Sequence, residues 1–455
     1  MNRSIGFLSI ATGLCFLVAG ILFGSLGGIF YLFPQELRDL LPFTKLRPLH
    51  VSSVIFWILF TAIGGLYLYL PKHKTRLANK LGLGQYLLLL TAAVAIPGCY
   101  IAGIFGGREY WEYPPILGLL IAASFILLGI NFYKSIRHKP AKEPWPVYRW
   151  MWLSGIVFFI LSFAESYLWL LPYFKQNLVR DMAVQWKSYG SLVGSWNMLI
   201  NGSALFVMEK ISGDKTTARK PLTFFMFFLG LFNLMFNWGH HIYNLPVSNI
   251  IRYTAYLVSM TELLILAKII WNWRSSLSQA QKYKHILSYR FFTAADIWIL
   301  LNLVMAILMS VPAINLYSHG THITVAHAMG TTIGINTMLL LASVCYACSR
   351  FFGDFSQPKL KLLNRGLYLS NASLLIFWVA LIGAGIGKAI LQTDNPDLPH
   401  AILMQQLIPW FIGFAMSGLG VATGIVLMVW PLLTTILKLK KLPHPEQPQR
   451  HLQPL

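Results

Sequence analysis

Long apolar runs separated by short polar segments fill almost the whole chain. A helix needs about 20 predominantly apolar residues to cross the hydrocarbon of a bilayer. Twelve spans can be drawn, at about 5–32, 49–71, 82–105, 115–133, 149–173, 188–208, 221–243, 248–271, 291–312, 322–347, 367–389 and 408–437. The pattern predicts an all-α integral membrane bundle. Residues 1–437 form a single membrane domain, and residues 438–455, rich in Pro, Gln and His, are expected to be a disordered cytoplasmic tail. The first run begins at Ile5 with no cleavage site after it, so it reads as a retained helix rather than a signal peptide.

Composition agrees with this picture. The 455 residues are 56% hydrophobic and only 11% charged, against about 25% charged in a soluble domain. The net charge of +21 would suggest nucleic-acid binding in a soluble protein. Here the basic residues cluster in alternate loops: Lys72, Lys74, Arg76 and Lys80 after the second span, Lys134, Arg137, Lys139 and Lys142 after the fourth, and Lys210, Lys215, Arg219 and Lys220 after the sixth. Basic loops stay in the cytoplasm, so both termini are expected there, and the charge reports topology and a lipid environment. Four cysteines are too few for a disulfide scaffold, and the pair Cys345 and Cys348 reads as packing at the end of an apolar run.

Candidate chemistry begins with histidine. His50 opens the second span, His240 and His241 close the seventh, and His327 lies early in the tenth. With the termini inside, all four reach similar depth near the outer face. A single buried His is more often a hydrogen-bonded core residue. Four at one level in a bilayer, where polar groups are costly, point to metal or heme ligation. Neighbours on an α-helix point about 100° apart, yet at a frayed end His240 and His241 can approach one metal ion.

Four segments carry a family resemblance: RPLH at 47–50, FGGREYWEYP at 105–114, NWGHHIY at 237–243 and SHGTHITVAHAMGTTIGIN at 318–336. They resemble the catalytic subunit I of heme–copper oxidases and, more narrowly, the large subunit of bacterial nitric oxide reductases. The resemblance spans essentially the whole chain. It implies two hemes b, a low-spin heme on His50 and a high-spin heme on His327, and a non-heme metal on His240 and His241. Iron is favoured over copper, because the nearest motifs belong to the iron-using branch. It also implies a calcium ion held by Glu109 between heme propionates, with Arg108 pairing a propionate.

Two departures stand out. The family's tenth helix carries His-x-His, whereas this chain reads His327-Ala328-Met329, which puts Met329 at the second low-spin position. A thioether can ligate heme iron, and His/Met ligation raises its potential. On the sixth helix, alignment on Gly194 and Trp196 puts Tyr189 where the branch has a third metal-binding His, Val193 where it has a Glu, and Asn197 in place of a second Glu. Tyr189 is a candidate replacement ligand, with an ordinary hydrogen-bonded tyrosine as the alternative. Glu165, Glu262, Lys268 and Asp296 are ionisable groups inside spans. Glu165 is the candidate replacement carboxylate or proton carrier.

The expected function is a respiratory heme oxidoreductase of the inner membrane that reduces nitric oxide to nitrous oxide. Neither a CxxCH motif for covalent heme c nor the long N-terminal extension of quinol-using relatives is found. A separate donor is therefore expected, such as a membrane-anchored cytochrome c or a small heme or copper protein. The competing readings are an oxygen-reducing terminal oxidase, a nitric oxide dismutase, and a heme b electron carrier or gas sensor without turnover.

Overall fold

The chain's fold is known from a computed structural model that describes residues 2–39, 41–70, 76–137, 144–243, 245–259 and 262–438. The tail expected from residue 438 onward lies outside the described residues beyond Lys438, as do Lys72, Lys74, Lys139 and Lys142. The long helices are α1 (Asn2–Phe30), α2 (Phe43–Tyr69), α3 (Arg76–Ala102), α4 (Gly118–Arg137), α5 (Val147–Glu165), α6 (Leu178–Ser212) and α7 (Pro221–Phe236). They continue with α8 (Asn249–Ser259), α9 (Glu262–Ser276), α10 (Ile286–Ser310), α11 (His322–Phe352), α12 (Gln357–Asp394) and α13 (Ile408–Ile436).

Among the described residues, eleven stretches are long and apolar enough to cross a membrane. The eighth expected span, 248–271, contains α8 and α9 on either side of residues 260–261, which lie outside the described residues. The side chain of Glu262 also lies outside them. Lys268 is exposed on α9, and buried Asp296 pairs with Arg274 at 2.9 Å, joining α10 to α9. Cys345 and Cys348 are buried and unbridged.

Packing explains which helices matter for the site. The most apolar stretch of α2 is 89% buried by its neighbours, whereas that of α12 is only 28% buried. So α2 is a central helix and α12 belongs to the rim. The α1–α2 contact is close because Gly64 lies against the Gly6 carbonyl; a Cβ on Gly64 would stand 2.6 Å from that oxygen. Small residues that let backbones approach are a common way to pack helices in lipid.

Local signals set the ends. Asn177 caps α6 by accepting from Arg180 N at 3.0 Å, and Gly213 terminates it in the left-handed region at φ 74°. Within α11, Gly330–Thr337 is π-helical between two α-helical parts. Such widening recurs at functional sites.

Candidate heme and metal site

One cavity of about 410 Å³ gathers His50 and Arg47 from α2, Met329 from α11, and Tyr110 from the α3–α4 connection. Its remaining walls are largely apolar, from α1, α12 and α13. His50 is held by the helix opposite: its Nδ1 lies 2.7 Å from the Gly20 carbonyl. A carbonyl only accepts, so Nδ1 carries the proton and Nε2 remains the ligating nitrogen. Gly24, one turn further along α1, leaves room for the ring; a Cβ there would stand 2.7 Å from His50 Cε1.

Residues two apart on an α-helix point about 200° apart. Met329 lines the cavity with His50, and His327 therefore faces away from it. On that other side its Nδ1 is buried without a hydrogen-bond partner. The His327 carbonyl accepts from Asn302 Nδ2 at 3.2 Å and from Thr331 Oγ1 at 3.1 Å, which fixes the backbone beneath the imidazole.

His240 and His241 sit on a 3₁₀ turn, Asn237–Ile242, that follows α7. The tighter turn brings the two rings to a centroid separation of 4.1 Å. Trp186 from α6 stacks on His241 at 4.5 Å with the planes 11° apart. The Nδ1 atoms of His241, His322 and His327 are buried without a hydrogen-bond partner. Buried imidazole nitrogens left unmatched in a polar-poor interior are costly. These donors fit ligation, so the residues present suit heme and a non-heme metal. Among the described residues, no three His, Cys, Asp or Glu side chains are already drawn to metal-holding distances.

Several candidates have other neighbours. Arg108 pairs with Asp181 of α6 and lies over Trp169 at 5.4 Å. Glu109 pairs with Arg47, which also reaches Glu112 at 3.5 Å. Arg47 rather than Arg108 is thus the guanidinium that lines the cavity of His50. Burial raises the Glu112 carboxyl above its ordinary range, because one oxygen is enclosed without a partner and Arg47 only partly offsets this. Glu165 pairs with Lys187 of α6. The ring of Tyr189 rests on that of Tyr110 at 5.7 Å, on the side of Arg108 and Glu112. Val193 is partly exposed, and Asn197 accepts from Asn336 Nδ2 at 3.0 Å, tying α6 to the π-helical part of α11.

Tyr110 adopts φ 70° within the tight turn between Arg108 and Trp111. A bulky residue held in the left-handed region is strained; here it sits between Arg47, at 5.5 Å, and Tyr189.

Two histidines escaped the reading of the sequence. His319 precedes α11, and its ring lies 5.9 Å from that of His241. His322 lines the cavity with His50, seven residues before Met329 and therefore on the same helical face. Both lie in the SHGTHITVAH segment, where the interval to Met329 was the available signal for His322.

A membrane bundle that collects imidazoles at one end, some facing an apolar cavity and others facing each other, marks an integral membrane protein suited to hold heme. The chain belongs to the family described as Cytochrome C and Quinol oxidase polypeptide I, which matches residues 4–420. Members are heme-binding membrane oxidoreductases. It is 23% identical to one subunit of the nitric oxide reductase of Stutzerimonas stutzeri, over 91% of this chain and 87% of that one. It is equally 23% identical to a cytochrome c oxidase subunit 1 homolog of Agrobacterium tumefaciens (strain T37), over 92% of this chain and 81% of that one. Its fold is similar to a solved heme-copper terminal oxidase dimer, with a TM-score of 0.72 at 16% identity, covering 99% of this chain and 86% of that one.

Proposed function

We propose that this chain is the catalytic subunit of a nitric oxide reductase-like enzyme, in which two nitric oxide molecules, two electrons and two protons give nitrous oxide and water. The observation that carries the reading is the division of α11. Met329 shares a cavity with His50, while His327, two residues earlier, faces the other side of the helix. That division supports a reading in which an electron-relay site and a reaction site occupy two faces of one helix.

The bound hemes and non-heme metal would supply electron transfer and polarisation of the substrate. The protein's own residues do the rest. His50 and Met329 would hold a low-spin heme b, with the Gly20 carbonyl orienting the imidazole. His327 would hold the high-spin heme, its backbone pinned by Asn302 and Thr331. His240 and His241 would hold the non-heme metal. Arg47 stands where a heme propionate would be neutralised, and Arg108 and Glu109 support that edge through their ion pairs. Glu165 with Lys187 is an ionisable pair joining α5 to α6, suited to delivering protons. Electrons come from a separate membrane-anchored donor, and the termini face the cytoplasm.

A second reading is oxygen reduction by a terminal oxidase. It is favoured by the equal identity to the cytochrome c oxidase subunit 1 homolog. One experiment separates the two: heme and non-heme metal per purified chain, with nitric oxide and oxygen consumption followed on the same sample. Two hemes b, one non-heme metal and nitric oxide turnover support the reductase. Oxygen turnover alone gives the second reading first place. Two hemes with no third metal and no turnover reject both and leave an electron carrier or sensor.

A further inference from the structure

We propose that His319 is the third protein ligand of the non-heme metal held by His240 and His241, an inference that rests on the reading above. The sixth helix offers no imidazole or carboxylate to this site: Tyr189 lies against Tyr110, and position 193 is valine. Another imidazole arrives from a different direction.

His319 sits between the short helix Pro312–Ser318 and α11, with φ −67° and ψ 135°. Its ring is 5.9 Å from that of His241 and inclined to it by 65°. Trp186 flanks both rings, 4.5 Å from His241 and 6.4 Å from His319. Metal-to-nitrogen bonds of about 2.0–2.1 Å place two imidazole centroids around a tetrahedral ion on the order of 5 Å apart. The 4.1 Å and 5.9 Å separations bracket that spacing.

The backbone that presents His319 is firm. Its N–H donates to the Asn315 carbonyl at 2.9 Å, and the Ser318 carbonyl accepts from Thr321 Oγ1 at 2.7 Å. Gly320 then turns the chain at φ 75°, a conformation that other residues adopt only with strain. The buried, unpartnered Nδ1 of His241 is a second, independent sign of a ligand. Three neutral imidazoles without a carboxylate make a nitrogen-only site, which suits iron, copper or zinc and disfavours magnesium, calcium and manganese.

The test is elemental analysis of the full-length protein with its hemes, together with electron paramagnetic resonance of the oxidised sample. In His319→Ala we expect non-heme metal per chain to fall at least about tenfold, since even outer-shell changes cost that much, while both hemes and their absorption bands remain. Retained hemes report that the fold is intact. Tyr189→Phe is expected to keep the metal, and His400→Ala, on an exposed short helix, serves as control. Full metal in His319→Ala overturns the proposal, as does loss of metal in Tyr189→Phe with retention in His319→Ala, which would assign the phenol. A wild-type chain that itself holds no non-heme metal would reject the functional reading at its root, and that outcome is visible before any variant is made.

Discussion

His50 gives its Nδ1 proton to the Gly20 carbonyl at 2.7 Å, and this one bond decides which nitrogen faces the cavity. Without it the ring could present either nitrogen. The bond also binds α1 to α2 at the depth of the proposed low-spin heme, so the approach of those helices is part of the ligand geometry.

Gly24→Ala therefore tests the site without touching a ligand. The new Cβ would meet the imidazole at 2.7–2.8 Å. Overpacking of this kind typically costs about 1–3 kcal/mol. Because Gly24 faces His50, we expect the cost to appear as loss of the low-spin absorption band and about half the heme, with the bundle still folded. Unchanged heme content and spectrum in this variant would show that the His50 ring is free to move and is not held as an axial ligand.

Met329 should set the potential of the same heme. Met329→His would convert His/Met ligation to bis-His and lower the midpoint potential, within the roughly 0.8 V range that axial ligands span. Met329→Leu conserves volume and should cost less than about 1.5 kcal/mol, yet it removes the sulfur and should yield a high-spin spectrum. A potentiometric titration reads both. If Met329→Leu keeps a low-spin spectrum, the thioether is not the ligand. His322→Ala then becomes the deciding variant, because His322 lines the same cavity.

The fold was legible because a bilayer imposes long apolar runs, and α1 to α7 follow the expected order. The eighth span is described on both sides of residues 260–261, as α8 and α9. Motifs carried His50, His240, His241, His327 and Met329 because each is a residue type at a fixed interval. Partners were not legible. Arg108 meets Asp181 across 73 positions, and Arg47 meets Glu109 across 62. His319 lies outside helical phase altogether, so no periodicity could bring it to His241.

Glu165 pairs with Lys187 across α5 and α6, with side-chain exposures of 22% and 42%. An ion pair this accessible contributes little to stability, about 0–1 kcal/mol, so structure alone gives it a weak reason to exist. Glu165→Gln should then leave thermal stability, heme and metal content nearly unchanged. As a proton carrier it should lower nitric oxide turnover about tenfold or more, since general acid–base groups contribute 10²–10⁴ or so. Normal turnover with normal cofactor content would reduce Glu165 to a helix-pairing residue.

Glu109 is engaged by the Arg47 guanidinium, and Arg47 also reaches Glu112. Calcium would have to displace that cation, since both neutralise the same carboxylate. We therefore expect EGTA treatment to leave the heme spectrum and midpoint potentials unchanged. Arg47→Gln should instead lower the low-spin midpoint, because removing a positive charge beside the cavity favours oxidised iron. It should also leave Glu112, already raised by burial, with less reason to ionise. A chelator-sensitive spectrum would restore calcium to this edge. In that case Arg47 and Glu109 would be paired only while the ion is absent, and the Arg47→Gln shift should disappear when calcium is added back.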